Sequence, residues 1–284
     1  MTQEALTLNK AYEYCKDLTS KRESNFALGF PFLPADKEKA IYVVYAFCRF
    51  VDDISDEVGT GDVTKLLRRW TAELDNVYIH NKATHPISVA LLDTLKTFKI
   101  PRDGFDELID GCVNDQSIKN YQTFKDLSGY CEYVATSIAK VSLPVYGYKK
   151  DPRVAIYGKD LSYAFQLTNI MRDIAPDYGI GRVYIPQAEL SRFGLTLDDI
   201  INHNKTQAIL DFYEFQGKRV QKYFEGGIKV IPFLDKDSQA CVSIMEKVYH
   251  KLLDKILSDP ILSLAQETVL SIDEKNNITK EFSV

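Results

Sequence analysis

Residues 47–57, FCRFVDDISDE, put acids at 52, 53, 56 and 57 and an arginine at 49 inside an otherwise apolar run. At about 100° per residue, Tyr45, Arg49, Asp52 and Asp56 follow i, i+4, i+7, i+11 and share one helical stripe. Asp52 and Asp56 then lie one turn apart, roughly 6 Å between Cβ atoms, so both carboxylates reach the same or adjacent metal ions. Like charges at that spacing cost a few tenths of a kcal/mol, a cost that a bound cation removes. All-oxygen ligands with retained waters suit a hard cation, hence Mg²⁺. Asp53 and Glu57 point partly elsewhere. Taken alone, the stripe reads equally well as a solvated helix end, although acids at a helix C-terminus oppose the macrodipole.

A second stretch, FQLTNIMRDIAPD at 165–177, tips the balance. Gln166, Asn169, Asp173 and Asp177 follow i, i+3, i+7, i+11, again two acids one turn apart preceded by neutral oxygen donors. Two such helices facing one another would hold Mg²⁺ between the carboxylate pairs Asp52/Asp56 and Asp173/Asp177, with phosphate oxygens completing the coordination. Arg49 and Arg172 supply the bidentate phosphate donors that carboxylates lack. For Arg172 an ion pair with a neighbouring acid is the plainer alternative.

Helices must position these stripes. Val43, Phe47, Phe50 and Ile54 recur at helical spacing opposite the first acidic stripe. So do Leu91, Leu92, Leu95 and Phe98; Tyr163, Leu167, Ile170 and Ile174; and Val242, Met245, Val248, Leu252 and Ile256. Strand-type alternation is hard to find. Breaks at VGTGD, KATHP, IPRDG, GYKKDP, the 175–187 segment, EGGIKVIP and SDP leave eight or more helical segments. Without a composition shift, linker or repeat, the expectation is one all-α domain spanning 1–284. A net charge of −5 and a pI near 5.5 give no electrostatic reason to bind nucleic acid. Five scattered cysteines without a CxxC pair read as buried thiols in a reducing cytoplasm. The longest apolar run, AIYVVYAFC, is about half of the ~20 residues a membrane helix needs.

YAFCRFVDDISD paired with QLTNIMRDIAPD resembles the squalene/phytoene synthase family. LP at 33–34, GYCEYVA at 129–135, GRVYIP at 181–186 and VYHKLLD at 248–254 match in the same order. The resemblance implies an isoprenoid-synthase helical bundle with a central apolar cavity, Mg²⁺ dependence and two prenyl diphosphate substrates. It maps diphosphate or Mg²⁺ binding onto Tyr45, Arg49, Asp52, Asp56, Gln166, Asn169, Asp173, Asp177 and Tyr249, with Arg172 beside them and Tyr130 in the catalytic set. Phe26, Phe30, Tyr130 and Val134 are the expected cavity lining, although aromatics at helical spacing also make ordinary core. The implied reaction is head-to-head condensation of two farnesyl diphosphates, through a cyclopropyl diphosphate, to dehydrosqualene in carotenoid biosynthesis. The alternative is phytoene from geranylgeranyl diphosphate. A non-catalytic helical protein with an acidic Mg²⁺- or partner-binding groove is the reading from another class.

Four departures from the family pattern stand out. Glu23-Ser24-Asn25-Phe26 replaces a hydroxyl-rich phosphate segment, which leaves Asn25 as a substrate contact. Val134-Ala135-Thr136-Ser137-Ile138-Ala139 lacks the family's glycines. Pro176 disfavours helix at Ala175 and puts Asp177 on a kinked turn. Gln266-Glu267-Thr268 stands where an arginine is expected, with Lys275 the candidate replacement. The expected location is cytoplasmic, without a transmembrane segment; peripheral membrane contact is one way for product to leave, although no basic amphipathic stretch supports it.

Overall fold

The computed structural model describes residues 7–20, 25–56, 62–117 and 120–283, with Asp56 described by its backbone alone. Glu23, Ser24 and Glu57 lie outside the described residues. Helices α1 (Leu8–Ser20), α2 (Ala35–Asp56), α3 (Val63–Tyr78), α4 (Pro86–Thr94), α5 (Arg102–Asp115) and α6 (Phe124–Cys131) form the first half. A π-helical turn, Glu132–Thr136, joins α6 to α7 (Ser137–Tyr146). After α8 (Arg153–Arg172) and α9 (Ile174–Gly179) come two short helices, α10 (Gln187–Arg192) and α11 (Leu197–Ile201). The chain ends with α12 (Thr206–Gly227), α13 (Lys236–Ser258), α14 (Pro260–Ala265) and α15 (Ile272–Lys280). Among the described residues the only β pairings are two isolated bridges, so the all-α expectation holds. No described helix is long and apolar enough to cross a membrane.

Local chemistry sets the helix ends. Asp36 and Glu38 sit in the first turn of α2, where the macrodipole favours anions. Thr123 and Asp126 form a capping box at the start of α6, satisfying two otherwise orphaned backbone N–H groups. The α13 stripe Val242, Met245, Val248, Leu252 and Ile256 is buried throughout. On α2, Phe47 meets Phe105 at 4.5 Å and Trp70 at 5.4 Å between ring centroids, so that helix is held to α5 and α3 through its apolar side. The α4 stripe outruns its helix, since Leu95 and Phe98 follow the last residue, Thr94.

The two stripe-bearing helices are joined through intermediaries. α7 packs on both α2 and α8, and α5 packs on α2 and on the π-helical turn, which in turn packs on α8. Gly111 makes the α5 approach possible, because a Cβ there would come within 2.8 Å of Tyr133 Cβ and 2.9 Å of Val134 Cγ1. Glu132 braces the same turn, with Lys159 Nζ at 2.7 Å and the Tyr163 hydroxyl donating at 2.8 Å, both from α8. All five cysteines are buried free thiols, as the sequence implies.

Candidate active site

The stripes meet around one polar cavity of about 540 Å³. Tyr45, Arg49 and Asp52 of α2 form one wall, and Gln166, Asn169, Arg172 and Asp173 form another, continued by Pro176 and Asp177 of α9. The Asp56 side chain lies outside the described residues. A smaller, apolar cavity of about 150 Å³ adjoins it, lined by Phe30, Val44, Leu161 and Phe165 among others. Phe26, Tyr45, Val134, Gln166 and Asn169 border both, so the polar chamber leads into the apolar one.

Charge in the chamber is unbalanced. Asp52, Asp115, Asp173, Asp177 and Glu267 face Arg49, Arg172 and Arg182, an excess of two negative charges. Arg49 bridges Asp52 (3.1 Å) and Asp53 (2.8 Å), which aims Asp53 at its own helix. Arg172 grips Asp173 bidentately at 2.7 and 2.6 Å, so the neighbouring-acid pairing is present, inside the chamber wall. Asn169 Oδ1 is buried without a hydrogen-bond partner, a cost of about 1–3 kcal/mol that a ligand would relieve. Among the described residues no three His, Cys, Asp or Glu side chains come close enough to hold an ion by themselves. Cations here need further oxygen ligands, of the kind that phosphate supplies, and the hard-oxygen donor set fits Mg²⁺.

The second stripe breaks ahead of Pro176, two residues earlier than the expected Ala175. α8 stops at Arg172, and Asp173 takes φ −100°, ψ 17° before α9 begins at Ile174. Pro176 has no N–H for the Arg172 carbonyl four residues back, and its ring crowds that carbonyl, so the helix yields at Asp173. Residues 174–179, expected as part of an irregular segment, form α9 because Asp177 N–H still reaches the Asp173 carbonyl at 2.9 Å. The kink keeps Asp177 on the chamber wall.

Two expected contacts stand elsewhere. Asn25 is not among the residues lining either cavity; in the tight turn at 26–28 it is Phe26 whose ring turns inward, 4.7 Å from that of Tyr249. Tyr249 is 3% exposed and backs the wall between Phe26 and Phe165. Tyr130 does line the polar chamber, and burial together with Tyr184 and the Asp115 and Asp52 charges raises its hydroxyl pKa well above the ordinary value.

The family model described as squalene/phytoene synthase matches residues 19–271. The chain belongs to the squalene/phytoene synthase family. It is 31% identical over 268 residues to a phytoene synthase of Mycobacterium tuberculosis, covering 93% of this chain and 87% of that one. It is 32% identical over 255 residues to the chloroplastic phytoene synthase 1 of Arabidopsis thaliana, covering 88% of this chain but only 60% of the plant protein's length. In structure it is similar to a dehydrosqualene synthase solved with a ligand (TM-score 0.87, 27% identity, 96% and 95% of the two chains covered). It is also similar to squalene synthase HpnC from Alicyclobacillus acidocaldarius (TM-score 0.80, 31% identity, 88% and 94% covered).

This squalene/phytoene synthase family member also brings residues to the chamber that neither stripe announces. Arg182 donates through Nη2 to the Ser55 carbonyl at 2.8 Å and sets Nε 3.2 Å from Asp115 Oδ2. It lies within GRVYIP, a matched segment whose arginine was the available signal. Asp115 is the last residue of α5 and 4% exposed, an acid at the unfavourable end of the helix dipole. Glu267, from the segment where an arginine is expected, lines the chamber, whereas Lys275 is not among its lining residues. The member therefore has an acid near Arg172 where the family pattern places a base.

Proposed function

We propose that this single-domain chain, acting in the cytoplasm, joins two farnesyl diphosphates head to head to give dehydrosqualene for carotenoid biosynthesis. The observation that carries this reading is the meeting of two carboxylate stripes around a chamber that opens into an apolar cavity. Asp52, Asp56, Asn169, Asp173 and Asp177 would hold Mg²⁺, which when bound neutralises charge building on a departing diphosphate. Arg49, Arg172 and Arg182 orient the diphosphates and share that charge from fixed positions. The allylic cation left behind alkylates the double bond of the second chain, and the cation so formed loses a proton, the electron pair of that C–H bond closing the ring of a cyclopropyl diphosphate. A second ionisation, rearrangement and proton loss produce the hydrocarbon. Phe26, Phe30, Phe165 and Val134 keep water from the cations, and the aromatic faces favour passing positive charge.

The likeness to the dehydrosqualene synthase along nearly the whole of both chains supports a C15 substrate. The phytoene synthases among the relatives support C20 as the second reading. Incubation with each prenyl diphosphate and Mg²⁺, followed by hydrocarbon analysis, separates them. A C30 triene from farnesyl diphosphate is the expected product. C40 alone would move the assignment to phytoene, and hydrocarbon from neither would remove it.

A further inference from the structure

The proposed reaction ends by losing a proton, and neither acidic stripe is suited to accept it, since both are committed to cations and arginines. A third polar group reaches the chamber from α5, α6 and the segment after α9. Tyr130 lines the chamber, and its ring stacks on Tyr184 at 5.0 Å between centroids, 27° from parallel. After burial, Tyr184 is the neighbour that acts most on the Tyr130 hydroxyl, raising its pKa further. Tyr184 donates to Asp115 Oδ2 at 2.7 Å, and Arg182 Nε holds the same oxygen at 3.2 Å. Tyr184, Asp115 and Arg182 line the same chamber wall, and the series ends on one carboxylate that is 4% exposed.

We propose that Asp115, acting through Tyr184 and Tyr130, is the final proton acceptor of the condensation, a role that rests on the prenyl-condensation reading above. In that step a C–H bond beside the cationic carbon breaks, and its electron pair becomes the new C=C bond. The proton passes to the Tyr130 oxygen while the Tyr130 proton moves to Tyr184 and the Tyr184 proton to Asp115. The cation becomes a neutral alkene and the Asp115 carboxylate a carboxylic acid, which later gives its proton to water. Burial keeps both tyrosines protonated, so each releases a proton only as it receives one. Asp115 itself takes its proton through the tyrosines.

The test compares Asp115→Asn, Asp115→Glu and Tyr184→Phe with wild type by the fraction of released diphosphate that ends as triene. Asp115→Asn and Tyr184→Phe should lower that fraction by at least about tenfold, with cyclopropyl diphosphate and water-quenched alcohols in its place. Asp115→Glu should restore most of it, and the solvent deuterium effect on the triene fraction should vanish in Tyr184→Phe. An unchanged triene fraction in folded Tyr184→Phe, whatever its overall rate, overturns the relay. That variant keeps the Asp115–Arg182 pair, so it decides the matter even if Asp115→Asn does not fold. Failure of wild type to release diphosphate from any allylic prenyl diphosphate would instead sink the underlying reaction.

Discussion

Asp173 shows how single residues divide their work. Both of its oxygens accept from Arg172, yet a carboxylate has about four lone-pair sites, so it can serve the arginine and a cation together. Asp173→Asn removes the charge and leaves the shape, as does Asp52→Asn across the chamber. Each is expected to cut hydrocarbon formation by about 10³-fold while circular dichroism and the melting temperature stay close to wild type. Asp53→Asn is expected to cost far less, because Asp53 is turned toward Arg49 of its own helix. Equal losses at 52 and 53 would refute the distinction. That Asp52 and Asp173 would share a chamber was legible only from the two stripes together, since a period of 3.6 puts acids and core on separate faces of each helix but a single stripe does not say what it faces. Asp115 and Arg182 were not legible, because their partnership joins α5 to an irregular segment some 70 residues away in the chain and leaves no periodic trace.

Between residue and fold, two elements set the shape of the chamber. The break at Asp173 follows from Pro176, so Pro176→Ala should return an N–H to the Arg172 carbonyl and let α8 run on. Helix interiors favour alanine over proline by about 3 kcal/mol, so this variant should melt higher than wild type. Its activity should fall, because a continuous helix turns Asp177 to a different azimuth. A variant both more stable and fully active would show that the kink has no catalytic use. The π-helical turn is the other element. Gly111→Ala would drive a methyl group into Tyr133 and Val134, at an overpacking cost of about 1–3 kcal/mol. Since Val134 borders both cavities, turnover should fall by more than stability alone explains, as measured by activity below the melting transition. Local sequence marked both places, through Pro176 and through the missing glycines at 134–139. It could not give the site of yielding or the π geometry, since each depends on what packs against the helix.

Among the described residues a contiguous apolar core runs from Ala11 to Ile278, legible in advance as helical stripes but not as an arrangement, because stripes tell which face is buried and not against which partner. Lys37 is where distant parts of that arrangement are tied. Its ammonium donates to the Tyr146 carbonyl at 2.8 Å, Asp235 at 3.0 Å, Asp237 at 2.7 Å and the Ser238 hydroxyl at 3.1 Å, joining α2, the end of α7 and the start of α13. Burial works to lower the Lys37 pKa, and the hydrogen bonds from Asp237 and Asp235 outweigh it, so the net shift is upward. Stability from that shift is fully present below the pKa of an unfolded lysine and disappears as pH climbs through the raised folded value. Asp237 is shifted down, chiefly by its bond to Lys37, so its share is present above the unfolded aspartate value and is lost as pH falls through the lowered one. Lys37→Met removes one of the two donors to the Tyr146 carbonyl, which keeps the Ser238 hydroxyl at 2.6 Å, and leaves the Ser238 oxygen without the ammonium that donates to it. Urea unfolding near pH 7 should show a loss of about 1–3 kcal/mol, since the two acids remain half exposed and hydrated. The difference between wild type and variant should shrink at both the alkaline and the acid end, and a difference that stayed constant across pH would mean that Lys37 acts through packing and not through charge.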